Sequence, residues 1–404
     1  MSDLDLARRH APIILFDRAE PFRPDTVGYA VLQKPGPSPT FNRYLNLILP
    51  DGRRADAVIE YALWTDWDIQ HLYELEHVWS YVDANGRLLY AEASAHGRYG
   101  PLVADGRVTA RWERPVAFAE PGKHGMHASP DLLIAHPVFH AAAVRSSGPQ
   151  CGTSGLLVGE PIAGRLEKNP RRDGLANAFL RRKGFVPSFD FSHRWDANQA
   201  RWCRWDELIE AIPTRLEAIL SALEDERGGR TVWAVLFDLG DTLMIESTEE
   251  KDAAQTTLRA ELFPGAADLI RRLRSEGILL GLVADTRPGT YKNVLRQHGL
   301  FEAFDVFAIS EELGCSKPDP RMFLHALEKL GIAPDEANHV MMVGNNLARD
   351  VRGANALGIT SVQVRFNDRY PADPADDAER PRHVAESCAE VYELIAWLQE
   401  FSGQ

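Results

Sequence analysis

Five short apolar runs, "TVWAVLFDL", "ILLGLVAD", "VFAIS", "HVMMVGN" and "TSVQV", recur through residues 231–404 with helical segments between them. That alternation constrains the fold more than any other feature. Runs without polar alternation suit strands buried on both faces. The intervening "GAADLIRRLRSEG", "GTYKNVLRQHG", "DPRMFLHALEKLG" and "LARDVRGANALG" have helical spacing, and several end in the glycine that closes a helix. The pattern predicts an α/β doubly wound parallel sheet, with its ligand site at the carboxyl ends of the strands.

Polar residues gather at those ends. Asp238 closes the first run, Ala284-Asp285-Thr286 the second, Lys317 follows the third, and Asn345 closes the fourth with Asp350 shortly after. One acid at a strand end is commonplace, whereas an acid, a lysine and an amide with a further acid at successive ends point to a reaction centre.

Residues 1–200 have a different texture. Glycine, proline, tryptophan, tyrosine and histidine punctuate short alternating segments, which predicts a β-rich sandwich. In "EHVWSYVDANGRLLYAEAS" two alternating runs meet at Asn85-Gly86, a hairpin signal. Period-2 geometry puts His77, Trp79 and Tyr81 on one face and Glu76, Val78 and Ser80 on the other. Histidine and acid are dense here, and His71, Glu76, His77, His96, His124 and His127 are candidates for a polar pocket or a second divalent-cation site. Residues 201–230 read as a helix that Pro213 should kink or split, followed by a charged linker, "EDERGGR". The expected organisation is therefore 1–200, 201–230 and 231–404.

Composition narrows the partners. The net charge is −13, and residues 231–404 hold about 28 acids against 17 bases. That sign argues against nucleic acid or an anionic membrane as partner. "RRDGLANAFLRRKG" (171–184) is a basic stretch that reads as a solvated helix face. No apolar run reaches the roughly 20 residues of a membrane span, and the first residues lack the layout of a secretion signal, so a cytoplasmic location is expected. The four cysteines are scattered and predict neither disulfides nor a thiolate metal site. The oligomeric state is not legible.

"FDLGDTL", "LLGLVAD", "CSKPDPRMF" and "MMVGNNLARDVRGANALGI" resemble, in order and spacing, the four motifs of the haloacid dehalogenase superfamily. The resemblance implies a magnesium-dependent phosphohydrolase acting on a phosphorylated small molecule or macromolecule. Asp238 would be the nucleophile that forms an aspartyl-phosphate, and Lys317 would neutralise phosphoryl charge. Thr242 would support the first loop, Thr286 lies near the phosphoryl-binding position, and Asp238, Gly240, Asn345 and Asp350 would surround the metal. Three positions depart from the family pattern. Gly240 stands where the phosphatases carry a second aspartate, leaving Asp241 either a displaced proton donor or a turn residue. Ala284 replaces a phosphoryl-binding hydroxyl, and Asn345 replaces an aspartate, which should weaken magnesium binding. The short interval after Leu243 implies a minimal cap, so that the N-terminal domain binds or covers the substrate. The alternative is a catalytically impaired relative that binds a phosphorylated ligand or partner.

The N-terminal half loosely resembles the β-sandwich domains of vacuolar-sorting protein 62 and of necrosis-inducing proteins, through "HAPI", "EPF", "EHV" and "SAHG". The cation-binding heptapeptide of the latter is replaced by "HLYELEHVW". The resemblance implies a fold and carries no activity.

Overall fold

The apolar runs become the centre of a six-stranded sheet in which every neighbouring pair is parallel. The computed structural model describes residues 2–159 and 162–400. Across the sheet the strands are Val306–Ile309, Leu279–Ala284, Ala234–Phe237, Val340–Gly344, Thr360–Val364 and His383–Ala385. The second, third and fourth of these are buried along their whole length, as a sheet covered on both faces requires. The edge strand His383–Ala385 is too short and polar to announce itself in the sequence.

Helices cover the sheet through apolar stripes. Leu269, Ile270 and Leu273 of Ala266–Ser275 enter one core, and Met322, Phe323, Ala326 and Leu327 of Pro320–Lys329 enter another. Each leucine, isoleucine, methionine or phenylalanine among them contributes about 1.5–3 kcal/mol by leaving water. Ala234–Phe237 lies between Leu279–Ala284, the next strand of this sheet in the chain, and Val340–Gly344, which follows only after Val306–Ile309 at the edge, with Phe237 pairing with Leu282 and with Val343. This is a switch point of the winding, and Asp238 stands at its carboxyl end.

The chain divides into two units, Met1–Glu167 with Lys183–Ile219, and Lys168–Arg182 with Leu220–Gln404. The basic stretch is therefore not a solvated face. Helix Pro170–Arg181 belongs to the second unit, where Arg171 bonds Glu224 and Glu336, and the buried Arg181 bonds Asp305. The expected linker is also helical: Trp205–Gly228 is one helix through Pro213. A proline inside a helix costs about 3 kcal/mol. Buried Leu208, Ile212, Leu216, Leu220 and Leu223 at helical spacing offset it, and in "EDER" Glu224 pairs with Arg171 and Glu226 with Arg182.

The first unit is strand-rich. One sheet runs Arg201–Arg204, Thr26–Leu32, Ala57–Trp67, His71–Val82, Leu88–Ala95 and Arg98–Pro101, with Gly155–Leu156 beside His71–Val82. A second holds Ala110–Arg111, Arg114–Ala119, Ile13–Phe16, His193–Asp196 and Met126–His127. The predicted hairpin forms, with Gly86 at positive φ. Val78 and Val82 enter a core shared by both sheets, whereas Trp79 and Tyr81 enter one on the opposite face. No disulfide joins cysteines among the described residues. Among the described residues no helix is long and apolar enough to cross a membrane.

Candidate active site

The strand ends of the parallel sheet surround a cleft of about 290 Å³. Asp238, Thr286, Lys317, Asn345 and Asp350 line it, so most of the predicted set converges. Lys317 Nζ donates to Asp238 Oδ1 at 2.5 Å and sits 2.7 Å from Asp350 Oδ1. Burial opposes the ammonium charge, but Asp238 and Asp350 outweigh it and raise the lysine above its ordinary value. Burial pushes the Asp350 carboxyl up to about 6, against the pull of Lys317. Asp285 holds the loop that presents the lysine, accepting from Lys317 N at 3.0 Å.

A hard cation fits these residues. The donors are all oxygen: the Asp238 and Asp350 carboxylates, the Asn345 amide and the Gly240 carbonyl. A Cβ on Gly344 would lie 2.4 Å from the Asp350 carboxylate, so only glycine leaves that acid its place. Asn345 Nδ2 has no hydrogen-bond partner among the described residues. Asp350 stands on a π-helical turn, Leu347–Val351, with Oδ2 accepting from Asn346 N at 2.9 Å. Such turns recur at functional sites.

Thr242 and Asp241 lie deeper. Thr242 Oγ1 donates to Asp238 Oδ2 at 3.4 Å, supporting the loop rather than facing the cleft. Asp241, at φ 49°, accepts from Glu246 N (2.9 Å) and from Arg369 Nη1 (2.8 Å), and it is not among the described residues that line the cleft.

The cleft also contains residues that motif reading missed. After Leu243 come a turn, Glu246–Thr248, and a small hairpin of Glu250–Lys251 and Thr257–Arg259, which bring Glu246, Glu249 and Lys251 to the rim. Tyr370 lines the cleft from the segment that "YPADPADDAERP" presents as an exposed loop. Lys251, Arg287 and Arg349 join Lys317 among the lining residues and offer cations to an anionic ligand, beside the acids Asp238, Glu246, Glu249, Asp285 and Asp350. Burial pushes the Glu246 carboxyl up, with Arg369 opposing.

Similarity to known proteins follows the same segment. Residues 175–358 match the family model "haloacid dehalogenase-like hydrolase". The chain carries a haloacid dehalogenase-like hydrolase domain. Among curated relatives, a glyceraldehyde 3-phosphate phosphatase of Methanopyrus kandleri is 30% identical over 133 residues, 33% of this chain and 56% of the relative. A phosphoserine phosphatase of Thermus thermophilus is 40% identical over 116 residues, 29% of this chain and 45% of the relative. The chain thus spans about half the length of the curated relatives it matches. A solved haloacid dehalogenase-superfamily phosphatase of Thermococcus onnurineus aligns over 40% of this chain and 97% of its own, at 20% identity and a TM-score of 0.33.

In the strand-rich unit the candidate histidines separate. His71 Nδ1–H donates to the Tyr73 carbonyl at 2.8 Å, which leaves the Nε2 lone pair 3.8 Å from Asp68 Oδ1. Burial lowers the His71 pKa, favouring the neutral ring. One ligand atom from each of Asp68, His71 and Glu74 lies within 4.8 Å of the others. Lys123 Nζ reaches Asp68 Oδ2 at 2.6 Å. Burial drives Glu74 well above the carboxylate range and Glu76 to about 7. Glu76 bonds Ser94, His96 Nε2 meets Glu120 Oε2 at 2.6 Å, and His124 Nε2 lies 3.3 Å from Glu20 Oε1. His127 packs against Phe139. His77 does not join them: it points to the opposite sheet face, its ring stacked on Trp79. Asp68 and Glu74 were legible as acids three positions either side of His71, but the turn that folds Asp68 back was not.

Proposed function

We propose that the chain is a magnesium-dependent phosphohydrolase in which Asp238 is the nucleophile. The observation that carries this reading is Lys317, buried between Asp238 and Asp350 in the lining of the cleft. Asp238 attacks phosphorus and forms an aspartyl-phosphate that water hydrolyses. Lys317 donates to Asp238 and lies where phosphoryl charge develops. A bound magnesium ion, held by Asp238, Asn345, Asp350 and the Gly240 carbonyl, would supply charge neutralisation of the transferring group. Thr286 is the nearest hydroxyl to the phosphoryl-binding role that Ala284 cannot fill. The cap is minimal, a hairpin rather than a domain, and the strand-rich unit is read as a β-sandwich.

Purified protein is expected to hydrolyse phosphate esters when magnesium is supplied and to lose that activity with a chelator. Asp238→Asn should remove at least about 10³-fold of it. Equal turnover by the variant would reject Asp238 as nucleophile, and tight binding of phosphorylated ligands with no turnover by the parent would favour the ligand-binding alternative.

A second reading concerns the strand-rich unit, where the Asp68, His71 and Glu74 donors favour a divalent cation distinct from the one at Asp238. Elemental analysis of the dialysed full chain is expected to find a retained ion that His71→Ala loses and Asp238→Asn keeps. Retention by His71→Ala would assign the ion elsewhere.

A further inference from the structure

Gly240 stands two residues after the nucleophile, and a Cβ built on it would lie 2.0 Å from Glu246 Oε1 and 2.9 Å from its Cδ. The space that a side chain at 240 would begin to fill is occupied by the Glu246 carboxylate. Several contacts fix it there. Glu246 N donates to Asp241 Oδ1 at 2.9 Å, and Arg369 Nη1 bonds both Glu246 Oε2 and Asp241 Oδ2. The left-handed backbone of Asp241 turns the chain so that one guanidinium spans the two acids. The oxygen beside Gly240 is Oε1, the one that Arg369 Nη1 does not hold, and Glu246 lines the cleft together with Asp238 and Lys317.

We propose that Glu246 is the proton donor and acceptor of the phosphoryl transfer, replacing the side chain that Gly240 lacks, with Arg369 as its positioning residue. The inference rests on the phosphohydrolase reading and adds the group on the leaving side. In the first step an Asp238 oxygen bonds to phosphorus, the ester P–O bond breaks, and the departing oxygen takes the proton of the Glu246 carboxyl. In the second, a water oxygen bonds to phosphorus while its proton passes to the Glu246 carboxylate. The Asp238 O–P bond then breaks, releasing inorganic phosphate and returning both acids to their starting states. Asp241 continues to accept from Arg369 Nη1 while Glu246 carries the proton. Glycine at 240 is thus a requirement of this arrangement, because any Cβ there displaces the acid.

The test compares leaving groups in the full chain with magnesium, using kcat/KM for a primary alkyl phosphate, whose alkoxide needs a proton, and for 2,4-dinitrophenyl phosphate, whose phenolate does not. Glu246→Gln is expected to lose about 10²-fold or more on the alkyl ester and less than about threefold on the aryl ester. Gly240→Ala, which forces Glu246 aside without touching it, should show the same selective loss and serves if the first variant does not fold. A Gly240→Asp, Glu246→Ala double variant should regain alkyl-ester turnover relative to Glu246→Ala. Equal losses on both esters, or none on either, would overturn the role of Glu246 while leaving Asp238 as nucleophile. A parent protein inert on both esters would remove the phosphohydrolase reading and this inference with it.

Discussion

Both units set a lysine against buried carboxylates, yet they answer the cost of buried charge differently. In the parallel-sheet unit the acids come from successive strand ends, and one ammonium reaches two of them, Asp238 at 2.5 Å and Asp350 at 2.7 Å. In the strand-rich unit Glu74 and Glu76 alternate along one strand, and Lys123 reaches Asp68 alone at 2.6 Å among the contacts it makes with these acids. Loop-borne acids can bend toward a shared cation, whereas a strand holds its side chains apart at a fixed spacing. The excess is met by protons, which is why burial lifts Glu74 and Glu76, or by a divalent ion.

Removing each lysine is the sharpest way to break the comparison. Lys317→Met strands two buried carboxylates, so a stability loss of about 3–5 kcal/mol is expected in urea. A fall in phosphate-ester kcat of about 10²-fold or more should accompany it at temperatures where the variant is folded. Lys123→Met strands one, and a smaller loss of about 3 kcal/mol is expected with kcat retained. If Lys123→Met abolished turnover at full folding, the two clusters would not be functionally separable, and the chemistry would have to be reassigned.

How far these clusters were legible in the sequence follows from their geometry. Asp238, Lys317, Asn345 and Asp350 each follow an apolar strand, and a doubly wound sheet brings strand ends together whatever the side chains between them. Glu246 and Arg369 were hidden for the opposite reason. They are 123 positions apart, joined by an ion pair, and neither belongs to a strand end or a motif. Only the absence at Gly240 signalled that something must replace a side chain, and a sequence cannot say from which direction. The helix runs on through Pro213 without splitting, and this was hidden because proline's local penalty is visible in the sequence and the burial of five leucine and isoleucine side chains that offsets it is not.

His77 tests where the strand-rich cluster ends. The sequence pooled it with His71, six positions away, but Tyr73, at φ 73° inside the strand, interrupts the regular alternation between them. His77 lies against Phe41 and Trp79, and burial pushes its pKa down to about 3. A histidine whose folded pKa is depressed contributes stability above its unfolded value near 6.5, and that contribution is lost as pH falls toward 3. His77→Phe keeps the aromatic packing and removes the proton uptake. Its stability should match the parent near pH 8 and exceed it by up to about 3 kcal/mol at pH 4, read from urea midpoints at the two pH values. Metal retention at Asp68, His71 and Glu74 should be unchanged. A variant that loses the ion, or that shows no relative gain in acid, would mean that His77 faces the acids after all and that the division of this strand into an apolar and an ionic side is wrong.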